Sequence, residues 1–505
     1  GNVPGARANS VAWTDASGNV FLFGGTGQVS SAGKSLMRSD LWKWDGTHWT
    51  WMGGSDQVEQ FGTYGTKGVA APGNAPGARY GSVSWTDGSG SLWLFGGLGY
   101  AAHGGGELND LWKWDGTNWT WVSGSDVGNE AGEYGTKGVA APTNVPGART
   151  SSIAWRSASG EFWLFGGYGY GYGNGAGVDS RLNDLWKWDG TSWTWVGGPN
   201  GAEQYGVYGT KGVPAPGNTP GVREGSVSWT DVSGNLWLFG GRGYAANTNG
   251  LLNDLWKWDG ARWTWISGSN VAGQHGTYGT KGVAASGNVP GAREGSISWA
   301  DSSGNLWLFG GLNQEGARGF LNDLWKWDGT SWTWVSGSDV AGQWGTFGTK
   351  GVGAPGNVPG ARFGSVAWTD SRGDFWLFGG YGLAARLWEG SLNDLWRWDG
   401  TNWTWVSGSD GPGQYGTYGT KGNPTPGSVP GAREGAISWA DAGGNLWLFG
   451  GNGWAANSGG LLNDLWKWDG ASWTWVSGSD EAGQYGTYGT RGLASPANVT
   501  SARKG

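Results

Sequence analysis

An arginine closing a PGAR-type motif returns eight times along this chain. It stands at Arg7, Arg79, Arg149, Arg223, Arg293, Arg362, Arg433 and Arg503, in steps of 72, 70, 74, 70, 69, 71 and 70 residues. A sequence that repeats at a fixed period is made of units too small to bury their own faces, so the units must pack against one another. Length alone suggests about three domains. The period overrides that and divides one body into seven units: 8–78, 79–148, 149–222, 223–292, 293–361, 362–432 and 433–503.

The fourth unit shows how each is built. Four short runs rich in aromatic and branched residues, 225–229, 235–239, 254–258 and 262–266, are separated by turn residues such as Ser233-Gly234, Gly240-Gly241 and Asp259-Gly260. Such residues favour a pleated, packed surface, and Asp-Gly between two runs signals a hairpin of the type I′ class. That Asp-Gly recurs at Asp45, Asp115, Asp189, Asp259, Asp328, Asp399 and Asp469. Four antiparallel strands in each of seven units predict an all-β fold, a seven-bladed β-propeller with a long repeated insert between blades.

Tryptophan supports the strand reading. Of 44 tryptophans, 41 fall at six recurring strand positions; the first unit has Phe21 at one of them. Trp256 and Trp258 are two apart, as are Trp263 and Trp265, which places each pair on one face of its sheet. The run Leu236-Trp237-Leu238-Phe239 is apolar on both faces, so it requires cover on both. Core packing is the expected role of this ladder, ahead of a platform for sugars. A cation separates the third-strand tryptophans at Lys43, Lys113, Lys187, Lys257, Lys326, Arg397 and Lys467. Two placements fit it equally: over an indole of the neighbouring blade, or solvated on the outside.

In combination, LWLFGG, LNDLWKWDG and WTW resemble a kelch repeat, with its double glycine after the second strand, aromatic third strand and Trp in the fourth. The resemblance covers all seven units and implies a kelch propeller similar to the central domain of galactose oxidase. The unit here is about 70 residues, against about 50 in kelch. The surplus follows the fourth strand, in stretches such as GSDEAGQYGTYGTRG. Its recurrence in every unit points to a structural role, as an extra hairpin or a belt between blades. Galactose-oxidase-like enzymes hold copper through tyrosines and histidines, one tyrosine being crosslinked to a cysteine. This chain has no cysteine and only His48, His103 and His275, in separate turns and loops, which argues against that chemistry and for no cofactor. A sialidase-like propeller would carry Asp boxes; Asp231-Val232-Ser233-Gly234 has a different spacing and reads as a turn.

The net charge of −7 and a charged fraction of only 14% argue against nucleic acid as a partner. No run of 18 apolar residues is present. The absence of cysteine together with Gly- and Trp-rich repeats points to an extracellular or cell-surface protein, of bacterial type. Loops between the second and third strands vary most among the units: 26–39, 98–109, 168–183, 242–253, 312–322, 381–393 and 452–463. Variation against a fixed frame suits recognition. The candidate ligand-binding residues are Tyr100, Tyr168, Tyr170, Tyr172, Tyr244, Trp388 and Trp454; packing against the inserts is the competing role for them. No metal-binding set stands out, and calcium at the GSD loops lacks clustered carboxylates. Asp40, Asp110, Asp184, Asp254, Asp323, Asp394 and Asp464 recur in every unit and read as turn or backbone-capping residues. Glu224, Glu294 and Glu434 follow the repeat arginine in three units only; an Arg–Glu ring accounts for them.

The resulting expectation is a non-catalytic scaffold binding a glycan or a protein. A subunit of an extracellular filament is the alternative, since Gly1–Arg7 (GNVPGAR) and 497–503 (ANVTSAR) are two copies of a linker for which a seven-unit ring has one vacant slot, the other copy being free to contact another copy of the chain. A polysaccharide hydrolase or lyase is the third reading, with no paired carboxylates to support it.

Overall fold

A computed structural model of the 505-residue chain describes residues 1–29, 35–157, 159–171, 179–313, 319–385 and 388–494. Every regular element among them is a strand. Each unit forms a four-stranded antiparallel sheet whose strands pair in chain order, the arrangement of a propeller blade. In the fourth unit these are Val227–Thr230, Leu236–Phe239, Leu255–Trp258 and Trp263–Ser267. The protein is thus an all-β protein of the β-propeller class. Two compact units divide it: residues 1–128 with 413–505 hold three of these seven blade-like sheets, and 129–412 hold the other four.

The second strand is covered on both faces. Leu236, Leu238 and Trp256 of the fourth unit pack with Trp155, Trp163 and Phe165 of the third, and Trp237 and Phe239 pack with Leu306 and Leu308 of the fifth. The indoles of the third and fourth strands meet edge-on, Trp256 to Trp263 at 6.4 Å and 88°, an arrangement favoured by the ring quadrupole. The third-strand cation lies within its own sheet, not over a neighbour: Lys257 sits 5.4 Å from the Trp237 ring and Lys113 5.2 Å from that of Trp93. Cross-strand pairing of Trp237 with Lys257 sets that contact. The Asp-Gly turns also differ from type I′. Trp258 pairs with Trp263, so the loop has four residues. Only Gly260 takes positive φ (93°), and Asp259 Oδ1 accepts from the Ala261 and Arg262 amides at 2.9 and 2.7 Å.

The recurring LND aspartate is more than a turn device. In all seven units it forms a buried ion pair with the repeat arginine, at 2.5 to 2.7 Å. In the fourth, Asp254 Oδ1 accepts from Arg223 Nη1. Its Oδ2 accepts from Arg223 Nη2, the Tyr208 hydroxyl and Trp256 Nε1. Arg223 also donates to the carbonyls of Gly221 and Gly240. Burial disfavours the charged guanidinium, but Asp254 raises the Arg223 pKa above its ordinary value. Burial and Asp254 together push the Tyr208 phenol well up.

That tyrosine comes from the insert, which is a clamp on the next sheet. The insert closes on itself through paired Val207 and Thr219. Gly212 N donates to the Trp265 carbonyl, and Asn218 Nδ2 to that of Trp263. Lys211 Nζ donates to Gly268 O while lying 4.4 Å from the Trp265 ring. The fourth strand is an edge, and these contacts occupy groups that would otherwise invite pairing with another chain.

The vacant linker slot is filled from the N-terminus. Val3 pairs with Thr487, Ala6 N donates to Gln484 O, Asn2 Nδ2 donates to Leu493 O, and Arg7 reaches Asp40, which Tyr488 also contacts. The clamp on the first sheet is therefore assembled from residues 484–493 and Gly1–Arg7. A Cβ on Gly5 would lie 2.7 Å from Arg38 Nη2 and 2.9 Å from Gly486 N. The aligned residue of the other copy is Ser501, which that space refuses; the copy itself, 497–503, lies outside the described residues.

Asp254→Asn leaves Arg223 buried without its counter-charge and is expected to destabilise the protein by ~3–5 kcal/mol. Tyr208→Phe should cost only ~1 kcal/mol, because Phe347 already stands at that position without a hydroxyl. Urea unfolding of the two variants checks this ratio. At the exposed turns, partial burial raises the Asp87 pKa, but hydrogen bonds from Ser89, Trp93 and the Ser91 amide win and hold it down to about 2. A pKa lowered by folding contributes stability that is complete above about pH 4 and is lost as pH falls towards 2. The stability gap between wild type and Asp87→Asn should therefore be of order 1 kcal/mol after solvent screening, narrowing to nothing between pH 4 and 2 in thermal melts.

Candidate functional site

Antiparallel pairing puts the two short turns at one end of each sheet and the loop between strands two and three at the other, beside the insert. Tyr100, Tyr170, Tyr244 and Trp454 occupy one equivalent position at that end, and its backbone role is fixed. A Cβ on the PGAR-type glycine beneath would lie 1.7 to 1.9 Å from their carbonyl oxygens, at Gly77, Gly147, Gly221 and Gly431 respectively. Glycine is therefore required below, and the aromatic is held at a set height above it.

Three of these rings pack on an aromatic of the insert: Tyr100 on Phe61 at 5.2 Å, Tyr244 on Tyr205 at 4.9 Å and Trp454 on Tyr415 at 5.1 Å. The inserted partner is the more open of each pair, with Phe61 55%, Tyr205 48% and Tyr415 50% exposed. Each pair thus presents a half-exposed aromatic face. The sequence reading missed Phe61, Tyr205 and Tyr415. A signal existed: in FGTYG, YGVYG and YGTYG the second aromatic varies little and is buried, whereas the first is Phe, Ala, Tyr, His, Trp, Tyr and Tyr from insert to insert.

Of the other candidates, Tyr168 pairs with Arg181 and Thr150 inside its sheet. Trp388 stands 63% exposed in the sixth unit. Tyr172 lies outside the described residues. His275 takes the open aromatic position of its insert and lines a cavity of about 340 Å³ with Tyr278, Arg293, Asn313 and Asp339.

Four glutamates at this end are engaged. Glu59 accepts from the Tyr100 hydroxyl and from the Met37 amide. Glu203 accepts from the Arg181 amide at 2.8 Å, and its hydrogen bond with Tyr244 pushes that phenol up. Both residues sit at positive φ, 58° and 55°, a strain that the paired hydrogen bonds sustain. Arg181 and Arg242 bridge to Glu224 and Glu294 at 2.7 Å. The arginine in these bridges comes from the variable loop, whereas the repeat arginine is committed to its aspartate. Burial raises the Glu434 pKa against a bond with Asn452. Among the described residues, no three His, Asp or Glu side chains gather as metal ligands, and no helix is long and apolar enough to cross a membrane.

No protein-family model matches the chain, and no curated protein matches it. Among solved structures it is similar to YjhT, with 13% identity over 81% of this chain and 98% of that one and a TM-score of 0.43. It is also similar to a fungal alcohol oxidase of the AA5 family in complex with copper, with 12% identity over 89% of this chain and 71% of that one and a TM-score of 0.47.

Proposed function

We propose that this protein is an extracellular, non-catalytic scaffold that binds a glycan through the sheet ends carrying the long loops. The half-exposed aromatic pairs Phe61–Tyr100, Tyr205–Tyr244 and Tyr415–Trp454 carry this reading. A rigid ring with an apolar face and polar neighbours suits a pyranose, whose C–H face stacks while its hydroxyls bond at the edge. Glu59, Glu203, Glu224 and Glu294 support binding over catalysis at these positions, because they are committed to phenols, amides or arginines. A glycan array of the intact protein should show binding that weakens about tenfold, ~1.4 kcal/mol, in each of Tyr205→Ala, Trp388→Ala and Trp454→Ala. Absence of signal on the array, with retention on a protein surface extract, would replace the glycan by a protein ligand.

The filament reading stands second, on the observation that two linker copies compete for one slot. Occupation of that slot by the chain's own Gly1–Arg7, and the misfit of Ser501 at Gly5, weigh against it. Electron microscopy of the intact protein is expected to show single particles. Filaments that vanish on deletion of residues 497–505 would restore this reading.

A further inference from the structure

One backbone position of the insert is left-handed in all seven units: Glu59, Asn129, Glu203, Gly273, Gly342, Gly413 and Gly483 take φ of 55° to 72°. Glycine, present in four of them, adopts that conformation without strain. A glutamate is held there against the backbone's preference, and the fold does not need it. Gly273 N donates to Leu251 O just as Glu203 N donates to Arg181 O, so glycine makes the same main-chain tie between insert and loop. What changes with this residue is the next unit. The units following Glu59, Asn129 and Glu203 carry Tyr100, Tyr170 and Tyr244, whereas those following Gly342 and Gly413 carry Leu383 and Trp454.

The Glu203 carboxylate lies at the rim of an open aromatic pair. It accepts from the Arg181 amide at 2.8 Å and bonds with the Tyr244 hydroxyl. The Tyr244 ring lies 4.9 Å from that of Tyr205, at 34°, and Tyr205 is 48% exposed. The trio recurs in the first insert, where Glu59 accepts from the Tyr100 hydroxyl and the Tyr100 ring packs on Phe61. The Tyr415–Trp454 pair has Gly413 in place of the glutamate. Charge is out of balance around Glu203. Arg181 is bridged to Glu224 and Arg242 to Glu294, each at 2.7 Å. Glu203 is only part-buried, and among the described residues it is in no ion pair.

We propose that Glu203 with Tyr205 and Tyr244, and Glu59 with Phe61 and Tyr100, select an amino glycan, one whose 2-amino-2-deoxyhexose residues carry a free ammonium group. The pyranose stacks its C–H face on the open ring. An equatorial amine then projects from the edge of the stack, towards the rim where the carboxylate sits. There the ammonium gains a charge-assisted hydrogen bond to Glu203, which has no cation of its own, and the ring faces add cation–π attraction. An acetylated amine has no charge to offer, and a uronic acid would meet a like charge. The net charge of −7 acts in the same direction at longer range.

The inference rests on the glycan-binding reading of the same site and adds a charge requirement to it. Calorimetry on the intact protein, at slightly acidic pH and low salt, would use length-matched β-1,4-linked oligomers of glucosamine and of N-acetylglucosamine. The glucosamine oligomer is expected to bind at least tenfold more tightly, with the ratio shrinking as added salt screens the charges. Glu59→Gly combined with Glu203→Gly installs the residue that four other inserts carry, so this variant should fold, and it should bind the two oligomers equally. Tyr205→Ala should weaken both. Equal affinities of the wild-type protein for the two oligomers, or a preference that survives in the double variant, overturn the inference. Binding of the acetylated oligomer alone refutes it and leaves the glycan reading standing. Failure of both oligomers and of every glycan on the array removes that reading and this inference together.

Discussion

A guanidinium and a carboxylate with almost no access to water hold each unit of this protein together. Moving such a pair from water into a core costs several kcal/mol per ion, and Coulomb attraction offsets it only when every remaining lone pair and proton is matched. The sequence supplies the matches. At Asp254 the two oxygens take hydrogens from both Arg223 nitrogens, the Tyr208 phenol and the Trp256 indole. Three chain segments therefore meet at one point: the linker, the third strand and the insert from the unit before. Where the insert is cut by the chain ends, Arg7 and Tyr488 arrive from opposite termini and the same node still forms at Asp40. Asp40 and Asp184 illustrate the electrostatic outcome. Burial alone would raise their pKa values, and the facing arginines Arg7 and Arg149 bring them below the ordinary range.

A node repeated in every unit is structural because it is repeated. Recognition has to come from positions that the frame leaves free, and two kinds are visible. One is the first aromatic of the insert, whose backbone is set by the clamp while its ring projects half into solvent, so residues as different as Phe61, Ala131, Tyr205 and His275 are tolerated there. The other is the left-handed position two residues before it, where Glu203 stands and four other inserts have glycine. The frame supports both because the strands, their tryptophan contacts and the edge-covering insert do not depend on either position.

Much of the architecture was legible in the residues. Tryptophans two apart, double glycines and Asp-Gly turns identify four strands per unit, since local alternation and turn chemistry dictate them. The resemblance to kelch repeats points to the same propeller class, and the sheets confirm that class. Contacts between distant segments were not legible. The third-strand lysines were placed over a neighbour or in water, but cross-strand register puts Lys257 over Trp237 of its own sheet. The LND aspartate looked like a turn residue because its arginine lies about 31 positions away. The insert, read as a hairpin or a belt between blades, closes on itself through Val207 and Thr219 and also binds the next sheet through Gly212, Asn218 and Lys211, contacts that no local pattern announces.

By itself, then, the sequence determined the number of units, the strands within each and the positions whose burial is obligatory. These follow from period, alternation and turn chemistry, which act over a few residues. Only the tertiary structure decided which of two like segments, Gly1–Arg7 or residues 497–503, completes the first sheet's clamp. The two copies are nearly the same in hydrophobic pattern, and the choice turns on the absence of a side chain at Gly5, within 3 Å of Arg38 and the Gly486 amide. Likewise, only packing brought Glu203 of one insert to Tyr244 of the following unit, because no local pattern links the two.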